Sequence, residues 1–185
     1  MRGGAAAEQM LKNLMNSVLR YLSSFNASMK VAYWVIGKTS PSYLKEGLSI
    51  YEKRLPHYLK FSSHIFPDVK NAKNLKPTEL KKREGALVLK KLEKTDFLIL
   101  LDERGKAFNS VDFANFLDKR FQQSSFPIIF LIGGAFGFSD ELYQRANFRL
   151  QLSNMTFSHQ MVRLFFLEQL YRAMTILKGE PYHNQ

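Results

Sequence analysis

The sequence predicts an α/β protein with a mostly parallel sheet covered by helices on both faces. Apolar runs of strand length recur at Lys30–Ile36 (KVAYWVI), Phe97–Leu101 (FLILL) and Ile128–Gly133 (IIFLIG). They lack the polar alternation of a half-wet sheet, so these strands are expected to be buried on both faces. Stretches of helical spacing separate them, and strands that alternate with helices build parallel sheets.

Residues 1–28 stand apart. Leu11, Leu14, Met15, Val18, Leu19 and Leu22 repeat at helical spacing and predict one amphipathic helix. Without the unbroken apolar segment of a signal peptide, this stretch is expected to be a dispensable extension ahead of a domain spanning residues 29–185.

The first strand ends at Gly37. Ser40-Pro41 then reads as an N-cap followed by proline at the first helical position, and Tyr43, Leu44, Gly47, Leu48 and Tyr51 form the inner face of that helix. Lys60–Phe66 is a second strand, closed by Pro67. Residues 69–77 are polar, basic and aperiodic, and are expected to form a mobile loop. A helix over residues 78–94 should bury Leu80, Leu87, Val88 and Leu92 while Lys81, Lys82, Arg83, Lys90 and Lys91 stay in water.

After Phe97–Leu101, Asp102-Glu103-Arg104-Gly105 is expected to turn out of the strand. Ser110 should cap a helix running to Gln123. The stretch FPIIFLIGGAFG from Phe126 supplies the central strand, and its glycines let backbone approach a ligand closely. Ser139-Asp140-Glu141 starts another helix, with a capping hydroxyl and acids in the first turn. Phe148–Leu152 is a short last strand. The final helix spans residues 158–178 and stops at Gly179 and Pro181. Met161, Val162, Leu164, Phe165, Phe166, Leu167, Leu170, Tyr171, Met174 and Leu177 leave that helix little polar face. It therefore needs two partners, the sheet and a second copy of itself across a two-fold axis.

At 185 residues and 45% hydrophobic, the chain is one domain with enough residues for a full core. No apolar run reaches membrane-spanning length, so a soluble, cytoplasmic protein is expected. Cysteine is absent, which excludes disulfides, a thiolate nucleophile and a cysteine zinc site. His57 and His64 share no ligand spacing with His159 or His183, so no metal site is expected. A net charge of +11 and a pI near 9.8 favour a polyanionic partner.

Three strand-end loops converge on one edge of such a sheet: residues 101–105, 133–137 and 152–157. The last, LSNMTF, offers backbone donors, small hydroxyls, and apolar Met155 and Phe157, a mixture that suits an adenosine. Neither G-x-G-x-x-G nor Gly-Lys-Ser/Thr occurs, so a nucleoside without a phosphate tail fits better than a nucleotide. His159 and Arg163 lie one turn apart at the start of the final helix. For that histidine a structural hydrogen bond and a functional role both stand open. Pro181-Tyr182-His183 follows the helix stop and places an aromatic and a titratable ring in the tail.

Taken together and in order, VIGK, Arg83-Glu84-Gly85, LILLDERGK, FLIGGAFG, LSNMTFSHQMVR, LEQLYRA and GEPYH resemble one family. It is that of the SPOUT-class methyltransferases which modify N3 of pseudouridine in large-subunit ribosomal RNA (the RlmH type). The likeness covers residues 29–183. It implies a C-terminal trefoil knot, a homodimer, S-adenosylmethionine as methyl donor, and large-subunit ribosomal RNA, within the assembled ribosome, as substrate. Carried over by position, the cofactor site is Leu101, Gly133, Leu152, Ser153, Asn154, Met155, Thr156 and Phe157. The substrate side is His159, Arg163, Tyr182 and His183. His183 is expected to act as base and Tyr182 to stack on the target ring. His159 and Arg163 are expected to hold RNA backbone or the developing anion, and one subunit's tail to complete the other's site. Ser158 stands where relatives often have proline, which a helix N-terminus tolerates. Asn184 stands where many carry arginine, which leaves the tail without that cation. Two rival readings are a SPOUT enzyme acting on transfer RNA and a non-catalytic ribosome-binding protein.

Overall fold

The computed structural model describes residues 29–183 and, ahead of them, Met15 alone, which is helical and exposed. The rest of the amphipathic helix expected over residues 11–22, and Asn184 in the tail, lie outside the described residues. Five strands alternate with helices: β1 (Lys30–Ile36), α1 (Ser42–Arg54), β2 (Lys60–Phe66), α2 (Pro77–Lys91), β3 (Phe97–Ala107), α3 (Ser110–Gln123), β4 (Ile128–Ile132), α4 (Asp140–Arg145), β5 (Phe148–Gln151) and α5 (His159–Lys178). The sheet has the order β2-β1-β4-β3-β5, and every strand pair is parallel.

Alternate residues of each central strand feed two cores, as the two-residue strand period requires. Val31, Tyr33, Val35, Ile99, Phe130 and Ile132 meet Phe113, Leu117, Phe166, Leu167 and Leu170 from α3 and α5. Trp34, Ile36, Leu98, Leu100, Ile129 and Leu131 meet Val88, Phe138 and Leu142 beneath α2 and α4. Burial on both faces explains why these strands carry no alternation in the sequence.

Several local expectations are corrected. Helix α1 starts at Ser42, with Pro41 outside it and no side-chain cap, so Ser40 does not cap. Helix α2 has its proline, Pro77, at the first position and ends at Lys91; Leu87 faces outward, 38% exposed. The aperiodic loop before it contains a short 3-10 turn over Ala72–Asn74. Asn109, not Ser110, caps α3, its side chain accepting from the Asp112 N–H at 2.7 Å. The cap at Ser139 matches expectation, and Ser158 caps α5 in the same way, each hydroxyl accepting a backbone N–H three residues on.

The largest correction concerns β3. It does not turn out at Asp102 but runs on to Ala107, with a register shift against β5 between Leu101 and Lys106. Gly105 permits this, because a Cβ there would stand 2.6 Å from the Arg149 carbonyl carbon and 2.7 Å from the Gln151 nitrogen. The four residues 102–105 thus form a bulged strand pressed against its neighbour.

Candidate active site

A parallel sheet brings the carboxyl ends of its strands to one edge, and there a cavity of about 510 Å³ opens. It is lined by the outgoing ends of β3, β4 and β5 and by the first residues of α5. Leu101, Gly133, Leu152, Ser153, Met155, Thr156 and Phe157 all line it, as does His159. Asn154 is exposed and does not line it; its side-chain oxygen accepts from Gln151 Nε2 at 3.3 Å.

Leu101, Ile132, Leu150, Leu152 and Val162 supply apolar walls. The loop over residues 152–157 supplies donors. Among the described residues only its Met155 N–H finds an acceptor, the Ser153 hydroxyl at 2.9 Å. A row of unpaired backbone N–H groups beside apolar walls is a donor set suited to a purine edge and ribose hydroxyls.

The glycine loop is a tight turn, closed by the Gly137 N–H on the Gly134 carbonyl at 3.2 Å with φ of 78° at Gly137. Its glycines also admit neighbours. A Cβ on Gly133 would stand 3.0 Å from the Phe138 ring, and one on Gly134 would stand 3.1 Å from both Glu84 carboxylate oxygens.

Two groups at this edge were not singled out as site residues from sequence. Asp102 accepts from the Tyr143 hydroxyl and from the Arg104 backbone N–H at 2.8 Å, and Arg104 Nη2 donates to the same hydroxyl at 2.6 Å. Burial works to raise the Asp102 pKa, but these bonds outweigh it and hold the carboxyl below its ordinary value. Glu84, on α2, is buried beside Gly134. Burial, reinforced by Asp68, pushes its carboxyl up to about 7. Glu84 belongs to a quoted motif and so left a trace in the sequence. Tyr143, forty-one positions from Asp102, left none.

The expected substrate-side residues separate. His159 sits at the cavity, within 3.2 Å of Gln160 Nε2, and burial followed by the Arg163 charge lowers its pKa toward the neutral ring. Arg163 does not line the cavity. It is fully buried, Nη1 donating to the Gly37 carbonyl and the Thr39 hydroxyl at 2.9 Å each, and Nη2 to the Ile36 carbonyl at 2.6 Å. It pins α5 to the end of β1.

Tyr182 and His183 pack against the outer half of α5. The Tyr182 hydroxyl donates to Glu168 at 3.2 Å, its ring stands edge-on to Tyr171 at 4.9 Å, and Arg172 lies over that ring at 4.9 Å. His183 Nδ1 is 3.5 Å from Arg172 Nη1. At 1.5 Å rise per residue, Glu168 and Arg172 lie roughly 14 and 20 Å along the helix from His159. One chain therefore does not bring its tail to its own cavity. At the cavity mouth the rings of Phe157 and Phe165 lie 4.8 Å apart, tilted by 50°, each 36% exposed, with Met155 73% exposed. Among the described residues no cluster of three or more histidines and carboxylates is placed to hold a metal ion. None of the described helices is long and apolar enough to cross a membrane.

Residues 29–183 match the family described as "Predicted SPOUT methyltransferase". The chain is similar to "Ribosomal RNA large subunit methyltransferase H" of Cytophaga hutchinsonii, 54% identical over 156 residues, covering 84% of this chain and all of the relative. The protein of the same name from Flavobacterium johnsoniae is 51% identical, and that from Parabacteroides distasonis 48%, each over 157 residues, 85% of this chain and all of the relative.

Proposed function

The chain belongs to the SPOUT methyltransferase family, and from that premise we propose that it methylates N3 of a pseudouridine in large-subunit ribosomal RNA, using S-adenosylmethionine and acting as a homodimer. The observation that carries the cofactor reading is the 152–157 loop, five of whose six backbone N–H groups are unpaired among the described residues beside the apolar cavity. A cavity of about 510 Å³ lies in the range of small-molecule sites. When bound, S-adenosylmethionine supplies an electrophilic methyl on a sulfonium. The chain's own residues do the rest. Backbone donors of residues 152–157 orient the purine, and Leu101, Met155 and Phe157 exclude water from its faces.

Methylation at a ring N–H also requires that a proton leave. His183 is the candidate acceptor, with Tyr182 stacking on the target base. Both lie too far along α5 to serve their own chain's cavity, which supports a site completed by a second copy. The exposed Phe157, Phe165 and Met155 beside the cavity are the apolar surface that copy would cover. Arg163 serves by holding α5 against β1, not by touching RNA. Residues 1–28 lie outside the matched region, and we propose that they are dispensable.

The test uses purified large ribosomal subunits and labelled S-adenosylmethionine, followed by mapping of the label. Methyl transfer to one pseudouridine is expected, and Gly133→Val, which drives a branched side chain into the Phe138 ring, should abolish cofactor binding in calorimetry. Label in transfer RNA alone, or none in any RNA, would overturn the reading.

A further inference from the structure

Beside the cofactor cavity, and sharing Arg104 and Tyr143 with it, a second cavity of about 560 Å³ runs between the outer end of β3, β5 and α4. Arg104, Lys106 and Arg149 stand in its wall, and no acidic residue does. We propose that this groove holds backbone phosphates of the RNA flanking the target nucleotide, so that the strand crosses the β3–β5 edge of the sheet. The proposal rests on the RNA-methyltransferase reading and names the substrate surface of that same site.

Two of the groove's three cations are uncompensated; Arg104 alone pairs with an acid, Asp102 at 3.4 Å. The nearest acid, Asp102, is only 6% exposed at its side chain and already accepts from Tyr143 and Arg104. Glu103 lines the cofactor cavity but not the groove. Neither Lys106 nor Arg149 forms an ion pair among the described residues. Its cations are also held in place. Arg104 and Arg149 lie against the Tyr143 ring at 5.2 and 5.9 Å, and the Lys106 ammonium lies 5.0 Å from the Phe108 ring. Long side chains already ordered on aromatic faces lose less entropy when they engage a phosphate.

The backbone sets their spacing. Gly105 lets β3 press onto β5, and pairing resumes with Lys106 opposite Leu150, next to Arg149. The groove then leads through Arg104 into a cavity shaped for a nucleoside. A strand of alternating phosphates and bases fits that continuity. A flat lipid surface does not, since this basic face is concave and its one large apolar wall, Phe148, is half-buried. The plainer account is that β5 is an edge strand and its charges merely prevent pairing with other chains. That account does not explain why the groove runs on through Arg104 and Tyr143 into the cofactor cavity.

The test is a salt series of binding to purified large ribosomal subunits by the full chain and by Lys106→Gln, Arg149→Gln and the double variant. Each single change should reduce the slope of log affinity against log salt by roughly 0.7–1, and the double by roughly twice that. KM for subunits should rise while calorimetry shows S-adenosylmethionine affinity at the parent value, which certifies the fold. Charge-preserving Arg149→Lys should keep the parent slope. Parent slopes and KM in all the glutamine variants would overturn the proposal and leave these cations as edge guards. So would variants that lose binding only to phosphatidylglycerol vesicles. A parent protein that methylates no subunit RNA would instead overturn the underlying reading, a result distinguishable from variants that match an active parent.

Discussion

The two ends of α5 handle charge in opposite ways. At the cavity end, Arg163 is fully buried and, among the described residues, meets carbonyls and one hydroxyl but no carboxylate, while its Nε has no partner there. Nearby Glu84 is buried and accepts no hydrogen bond among the described residues. At the tail end, charges meet their complements: Arg172 Nη2 lies 2.6 Å from Glu168, and Tyr182 and His183 close over that pair. Uncompensated charge out of water interacts strongly and tolerates little rearrangement. Partly exposed pairs are weak and interchangeable with water. One helix therefore joins a cavity end fixed by buried charge to a tail held by partly exposed pairs, a contrast that suits the proposed site completed between two copies.

The sharpest way to break this contrast is Arg163→Leu. It leaves the Ile36 and Gly37 carbonyls buried without donors, at about 1–3 kcal/mol each. We expect a stability loss of about 3 kcal/mol or more in urea denaturation. Arg163→Lys should recover little, since an ammonium does not reproduce the planar fork that reaches three acceptors. A loss below about 1 kcal/mol would mean that the β1 end is held by something else.

The tail should respond in the reverse sense. His183→Ala is expected to leave stability within about 0.5 kcal/mol of the parent but to reduce single-turnover methylation roughly 10²-fold or more. Co-expression with Gly133→Val sharpens the comparison. If tail and cavity work across the two-fold, half of randomly formed dimers are mixed and hold one intact site in two, which restores about a quarter of parent activity. No recovery in the mixture would show that each tail serves its own chain.

Particular residues explain what the sequence could convey. The apolar runs of β1 and β4 were legible because burial on both faces removes every polar position from a strand. The cavity-lining set was legible for a related reason, since parallel strands deliver their outgoing loops to one edge. Leu101, Gly133 and all of residues 152–157 except Asn154 are found there. The continuation of β3 was not legible. Asp102-Glu103-Arg104-Gly105 carries local turn chemistry, and only the backbone of Arg149 and Gln151 against Gly105 makes it strand. The direction of Arg163 was equally hidden. Helical spacing sets it beside His159, but its partners are carbonyls 126 and 127 positions away. Asn109 and Ser110 are both good caps, so one residue of error there cost nothing in topology.

The smallest expected effects come from Glu84 and Glu168, and their signs distinguish the two ends. Burial, with Asp68 adding to it, pushes the Glu84 carboxyl up to about 7 from an ordinary 4.5. Below pH 4.5 folded and unfolded chains both hold the proton, and Glu84 sets no penalty. Between 4.5 and about 7 the unfolded chain has released it while the folded chain keeps it, so stability falls as pH rises. Above about 7 the penalty is complete. Glu84→Gln keeps the shape without the titration, so it should be near neutral at pH 4.5 and stabilising by about 2 kcal/mol at pH 8, a figure discounted for partial solvation. At the tail end Glu168→Gln removes the partner of Arg172 and should instead lose stability, by about 1 kcal/mol or less. Urea denaturation of both variants at pH 4.5 and 8 measures the difference. An equal effect of Glu84→Gln at the two pH values would mean that its carboxyl is solvated or paired in solution, and the cavity end would then hold no uncompensated acid.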